Sequence, residues 1–188
     1  MTPANPSTAN VSVIARLREW HSRGFNVLAG WLAPDFLPLL ARLTLAGVFW
    51  RSLLTKVETV GLLTYTDYIN DFAVERSRLK LPAFPLELKP AALAQFRNDF
   101  ALPVLPPEAA AWMAVLAEFA FPLLLLAGLF TRLSALALLG MTLVIQIFVF
   151  PQAWWGTHAL WTVMALYLVV QGPGRISLDT LTGRFFAR

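Results

Sequence analysis

The sequence predicts an all-α integral membrane protein, a four-helix transmembrane bundle with a helical or irregular extracytoplasmic cap. Three observations carry this. Residues 109–130 and 133–150 are long apolar runs joined at Arg132, and only Glu118 and Gln146 break them with strongly polar groups. Each run is near the roughly 20 residues that a helix needs to cross a bilayer core, and neither has the polar face of a helix in a water-soluble bundle. Hydrophobic residues make up 57% of the 188-residue chain and charged residues 14%, against about 25% charge in soluble domains. The third observation is that Lys and Arg fall unevenly on the connections between the apolar runs, as the positive-inside rule describes.

The elements follow in chain order. Residues 1–10 are small, polar and proline-containing, with nothing to bury, and are expected to be disordered. No cleavable signal peptide is evident, because no apolar core follows them directly. In residues 11–31, Val13, Ile14, Leu17 and Trp20 share one helical face, with Arg16, Arg18, Glu19 and Arg23 elsewhere. That pattern suits an amphipathic helix lying in the membrane interface, or a helix packed on the protein itself. Residues 1–33 thus form a tail and interfacial helix ahead of a membrane domain at 34–188.

The first span is expected at residues 35–54, started by Pro34 or Asp35. Its Arg42 and Arg51 are costly in hydrocarbon and must snorkel, pair or face the bundle. Residues 55–107 are a long connection with nearly balanced charge, expected to form the outer cap. Within it, 60–74 is read as one amphipathic helix, 81–90 as irregular because it holds three prolines, and 90–100 as a short helix with proline at its start. Pro122 lies inside the second span and should bend it. Pro151 ends the third span. Trp154 and Trp155 follow as interfacial residues, and a fourth span at 157–171 stops at Gly172-Pro173-Gly174. The tail at 172–188 is expected to be a short surface helix.

Arg16, Arg18, Arg23, Arg132, Arg175, Arg184 and Arg188 all fall on one side of a four-span arrangement, and the loop at 151–157 on the other side has no Lys or Arg. The positive-inside rule then places both termini in the cytoplasm. The net charge of +4 is therefore a topology signal, and a basic stripe suited to nucleic acid is missing. With no cysteine in the chain, a dithiol relay, a disulfide and thiolate metal ligation are excluded.

The stretches at 42–56 (RLTLAGVFWRSLLTK), 102–151, His158-x-x-Trp161 and GPGRISLD at 172–179 together resemble the DoxX family of bacterial membrane proteins. The combination of Glu118, then Gly128-x-x-Thr131-Arg132, then Gly172-Pro173-Gly174-x-x-Ser177-Leu178-Asp179 carries the resemblance. It implies a four-helix bundle in the bacterial inner membrane. It also implies a link to membrane redox assemblies, including quinone-linked sulfur oxidation, and to oxidative-stress complexes.

Depth along the helices selects the candidate site residues. At about 1.5 Å per residue, Arg42 lies about 10 Å into the membrane from one side and Arg51 about 24 Å. Glu118, entering from the other side, lies roughly 16 Å above the first edge of a core about 30 Å thick. An ion pair of Glu118 with Arg42 or Arg51 is therefore expected, serving either bundle specificity or a proton or quinone-headgroup site. At the outer end lie Lys56, Gln146 and His158. His158 could hydrogen-bond a quinone or relay a proton, or simply cap a helix. Trp50, Trp154, Trp155 and Trp161 form an aromatic lining or an interface belt.

No covalently bound cofactor and no metal site are expected, and a quinone is the candidate ligand. The chain has no recognisable flavin, haem or metal motif, so electron transfer would need a partner. The expected function is an accessory membrane subunit of a quinone-linked redox or oxidative-stress system. The alternative is a non-catalytic anchor or assembly partner for an extracytoplasmic protein. The expected partners are membrane lipids, a quinone, and an extracytoplasmic or redox protein.

Overall fold

The computed structural model describes residues 19–20, 22–27, 29–30, 32–69, 72–100, 102–103 and 105–186. The expected disorder of 1–10 and most of the interfacial helix at 11–31 lie outside these. The described positions between 19 and 30 are helical. Four helical stretches among the described residues are long and apolar enough to cross a membrane: Ser22–Lys56, Pro107–Ala127, Thr131–Val149 and Pro151–Gln171.

Helix α1 (Leu37–Lys56) follows a π-helical turn at Leu32–Phe36. Strands β1 (Thr59–Ile69) and β2 (Phe72–Pro82) come next, then the short helix α2 (Pro90–Asn98). Helices α3 (Pro107–Ala127) and α4 (Thr131–Val144) form the central hairpin. The chain then passes through two π turns, Ile145–Val149 and Trp154–His158, separated by a 3-10 turn at Pro151–Ala153. Helix α5 (Ala159–Gln171) and the tail helix α6 (Leu178–Phe186) complete it.

The four long helices close a ring, with α1 on α3, α3 on α4, α4 on α5 and α5 on α1. Leu45, Ala46 and Phe49 of α1, Leu125 of α3, Leu138 of α4, and Ala165 and Leu168 of α5 meet in the centre. The outward faces are also apolar, with Leu43, Leu116, Leu136, Ile147 and Val163 exposed. A surface of this kind matches hydrocarbon, where helices satisfy their backbone groups internally and need no polar exterior. Pro122 lies within α3 and is buried.

The connection between α1 and α3 corrects one expectation. The described residues of this stretch, 60–69 and 72–74, do not form an amphipathic helix. They belong to an antiparallel hairpin in which Val60 pairs with Leu81, Tyr65 with Arg76 and Tyr68 with Ala73. Val60, Thr64, Tyr65, Thr66, Tyr68 and Ile69 are the β-branched and aromatic types that suit a pleated surface. The hairpin base is tied down by the Glu58 N–H donating to Glu87 O (3.0 Å) and the Lys89 N–H donating to Lys56 O (2.9 Å). Helix α2 starts at Pro90 as expected, and packs on α3 through Phe96, Ala110 and Ala111.

A candidate ligand pocket at the Lys56 end

Ser52 and Lys56 are four residues apart on α1, so they share one face. That face meets Glu118 of α3. Lys56 Nζ donates to Glu118 Oε1 and Oε2 (both 2.9 Å), to Ser52 Oγ (2.7 Å) and to Ser52 O (3.3 Å). Ser52 Oγ in turn donates to Glu118 Oε1 at 2.8 Å. The Glu118 side chain is 1% exposed and that of Lys56 14%. A buried carboxylate of this kind persists only with an opposite charge and hydrogen bonds in place.

The pairing corrects the expectation that Arg42 or Arg51 would meet Glu118. Arg51 is exposed, because the residue before Ser52 points about 100° away around the helix. Arg42 is 2% exposed but lies at the other end of the bundle. Its Nε donates to Leu125 O (2.7 Å), Nη2 to Leu126 O (2.8 Å), and Nη1 to Ile176 O (2.7 Å) and Pro173 O (3.1 Å). Leu125 and Leu126 lie in the last turn of α3, whose carbonyls have no helical partner and carry partial negative charge. These carbonyls satisfy the guanidinium locally. Glu118 lies seven residues from Leu125 along α3, about 10 Å away.

Beside the Ser52–Lys56–Glu118 cluster is a cavity of 370 Å³. Phe96, Phe100, Leu102 and Leu105, from α2 and the chain after it, form one wall. Met113, Ala114 and Ala117 of α3 form a second. Met141, Val144, Ile145, Val149 and Phe150, along α4 and its π extension, form a third. His158 and Trp161 close the fourth side, with ring centroids 4.9 Å apart.

Both π turns contribute to this site. Such turns widen the helix locally and recur at functional sites. One holds Gln146 and the other His158. Gln146 Nε2 donates to Pro151 O at 2.7 Å, which directs its Oε1 to His158 Nδ1, also at 2.7 Å. A carboxamide oxygen only accepts, so this contact places the imidazole hydrogen on Nδ1. The other ring nitrogen, Nε2, has no hydrogen-bond partner among the described residues.

Lys56, Glu118, His158 and Trp161 thus converge on one cavity, with Gln146 directly behind His158. Trp50 packs on Phe119 (centroids 6.0 Å apart) and does not line it. Trp154 and Trp155 pack on each other, with Trp155 88% exposed, as residues of an interfacial belt would be. Sequence reasoning missed Ser52, Phe96, Phe100 and Phe150. The Ser52–Lys56 spacing was the available signal for the first. The aromatics of α2 reach the cavity only through its docking on α3.

The opposite end is a structural clamp. The Gly128 N–H donates to Leu125 O (3.1 Å) and the Leu129 N–H to Leu124 O (2.9 Å), closing α3 through the left-handed Gly128. Asp179 Oδ1 and Oδ2 accept from the Phe130 N–H (2.7 Å) and the Thr131 N–H (2.8 Å), capping α4, and the Asp179 N–H donates to Gly128 O (2.8 Å). Ser177 Oγ accepts from the Thr180 N–H (3.2 Å) to cap α6.

A ring of four apolar helices long enough to cross a bilayer, with the buried Lys56–Glu118 ion pair beside an apolar cavity, defines a polytopic helical membrane protein. Residues 37–151 match the DoxX family, and the chain belongs to that family. An uncharacterized protein of Haemophilus influenzae is 32% identical over 107 residues, covering 49% of this chain and 66% of that relative, just under two thirds of its length. No solved structure matches.

Proposed function

We propose that this DoxX protein is an accessory membrane subunit of a quinone-linked redox or oxidative-stress system, in which it holds the ring of a quinone-pool molecule in the cavity at the Lys56 end. The observation that carries this reading is the cavity: 370 Å³, walled by Phe96, Phe100, Phe150 and Trp161, with polar groups at Ser52, Lys56, Glu118 and His158. An apolar site with a few convergent polar groups is how proteins hold lipophilic rings and set their orientation. The family resemblance supplies the redox context. Electron transfer in this reading belongs to a partner protein, since this chain carries no motif for a redox group. The uneven placement of arginines supports cytoplasmic termini in a bacterial inner membrane, which would open the cavity toward the extracytoplasmic leaflet.

Native purification with mass spectrometry of bound small molecules tests the reading. A quinone or quinol should co-purify with the wild type and be lost when Ala114→Trp fills the cavity. If wild type and variant carry the same amount, or neither carries any, the reading is wrong.

A second reading, docking of an extracytoplasmic protein, is favoured by the hairpin. Leu62, Tyr65 and Leu79 are exposed on it, and a lone two-stranded sheet is marginal in water. Replacing residues 60–81 with a short glycine–serine loop should release such a partner while leaving the ligand bound.

A further inference from the structure

The hydrogen-bond inventory of the cavity has a direction. Lys56 Nζ has three hydrogens and four acceptors around it: Ser52 O, Ser52 Oγ and both oxygens of Glu118. The one hydroxyl hydrogen of Ser52 goes to Glu118 Oε1. His158 Nδ1–H goes to Gln146 Oε1. Every donor of these three side chains is therefore committed within the protein. Free acceptors remain. Neutral His158 keeps the lone pair on Nε2, and Glu118 Oε2 accepts from Lys56 alone, which leaves it a further lone pair. The indole N–H of Trp161 is the only side-chain donor on the wall, among the described residues, that no protein group takes.

From this the geometry points to a ligand that donates. Building on the quinone-pool reading above, the site takes the reduced, hydroxyl-bearing hydroquinol in preference to the quinone. A quinone offers two carbonyl acceptors, which His158 Nε2 and Glu118 cannot serve. A hydroquinol hydroxyl donates to Nε2 and still has lone pairs for an indole N–H. Gln146 is then a positioning residue, because its amide, anchored on Pro151 O, keeps the hydrogen on Nδ1 and the lone pair on the cavity-lining ring's other nitrogen.

The test is equilibrium dialysis of the full chain in detergent micelles under anaerobic conditions. The probes are duroquinol, duroquinone and the dimethyl ether of duroquinol, which keeps the ring but has no donor. The quinol should bind roughly tenfold more tightly than the quinone, the equivalent of one net hydrogen bond, and the ether should show no advantage over the quinone. His158→Phe should bring the quinol-to-quinone ratio close to one. Gln146→Leu should shrink the ratio, because the ring is then free to change tautomer.

If the quinone binds as tightly as the quinol or better, the donor inference is wrong while the cavity remains a quinone-pool site. If the ether matches the quinol, the inference is also wrong. Binding of none of the three probes overturns the quinone-pool reading itself. Should His158→Phe fail to fold, the three-probe comparison on the wild type decides the matter alone.

Discussion

Lys56→Met isolates the interaction on which the cavity depends. The substitution keeps the length of the side chain and removes its charge, leaving Glu118 at 1% exposure with only Ser52 as a partner. Breaking a buried pair from one side typically costs about 3–5 kcal/mol, mostly from stranding the remaining charge. The double variant Lys56→Met/Glu118→Leu strands nothing and should recover more than half of that loss, because replacing a whole buried pair by apolar residues is often close to neutral. Arg51→Met is the control. Its side chain is exposed and should change stability by less than about 0.5 kcal/mol. The assay is reversible unfolding in mixed micelles, read by helical circular dichroism across the four proteins. Additive losses in the double variant would refute the coupling of Lys56 to Glu118. An Arg51→Met loss as large as that of Lys56→Met would restore Arg51 as the partner.

Further predictions concern the other end and the orientation. Gly128→Ala should destabilise by more than about 1 kcal/mol in the same assay, because φ is +67° and the new Cβ would stand 2.6 Å from Arg42 Nη2. Asp179→Ala should cost about 1–2 kcal/mol through loss of the α4 cap, and Asp179→Asn less, since its amide oxygen still accepts one of the two N–H groups. Reporter fusions after the tail and at Ala83 should report cytoplasm and exterior respectively. The reverse result at either position would overturn the proposed orientation.

The membrane spans were legible because a helix in lipid must be apolar over a fixed length, a constraint that leaves a plain mark on residues 109–150. Charge placement was legible only in part. Depth along each helix put Arg42 and Arg51 in reach of Glu118 and left Lys56 in a separate set at the outer end, but helical rotation decides which side chains face inward, and the low amphipathicity of α1 hides that rotation. A one-residue step separates the exposed Arg51 from the inward Ser52. The pull of the α3 terminal carbonyls on Arg42 was equally hidden, since it depends on where the tail at Pro173 and Ile176 folds back. The hairpin was misread because the spacing of its apolar residues, which follows neither period cleanly, was weighed above their β-branched and aromatic types. The π turns carrying Gln146 and His158 leave no periodic signal over five residues each.

The residues most specific to the family resemblance and those lining the cavity separate by end, with Glu118 the one member shared. Gly128, Thr131, Gly172, Gly174, Ser177 and Asp179 build a clamp in which Arg42 spends four hydrogen bonds on backbone carbonyls. A side chain at Gly174 (φ +78°) would be strained, and its Cβ would crowd Pro38 at 3.0 Å and the Pro34 carbonyl oxygen at 3.1 Å. The charged groups of this end are spent within the protein, Arg42 on backbone carbonyls and Asp179 on the Phe130 and Thr131 N–H groups, while the buried hydroxyls of Thr131 and Ser134 have no partner among the described residues. The Lys56 end is the converse. It relaxes the helix into π turns, leaves a cavity between aromatic walls, and ends its polar network on acceptors. A rigid clamp at one end fixes the register of α1, α3, α4 and α5, and that register is what holds Ser52, Lys56 and Glu118 against one another at the other. A lesion in the clamp should therefore loosen the whole bundle, whereas His158→Phe should leave the bundle folded and change only what the cavity accepts.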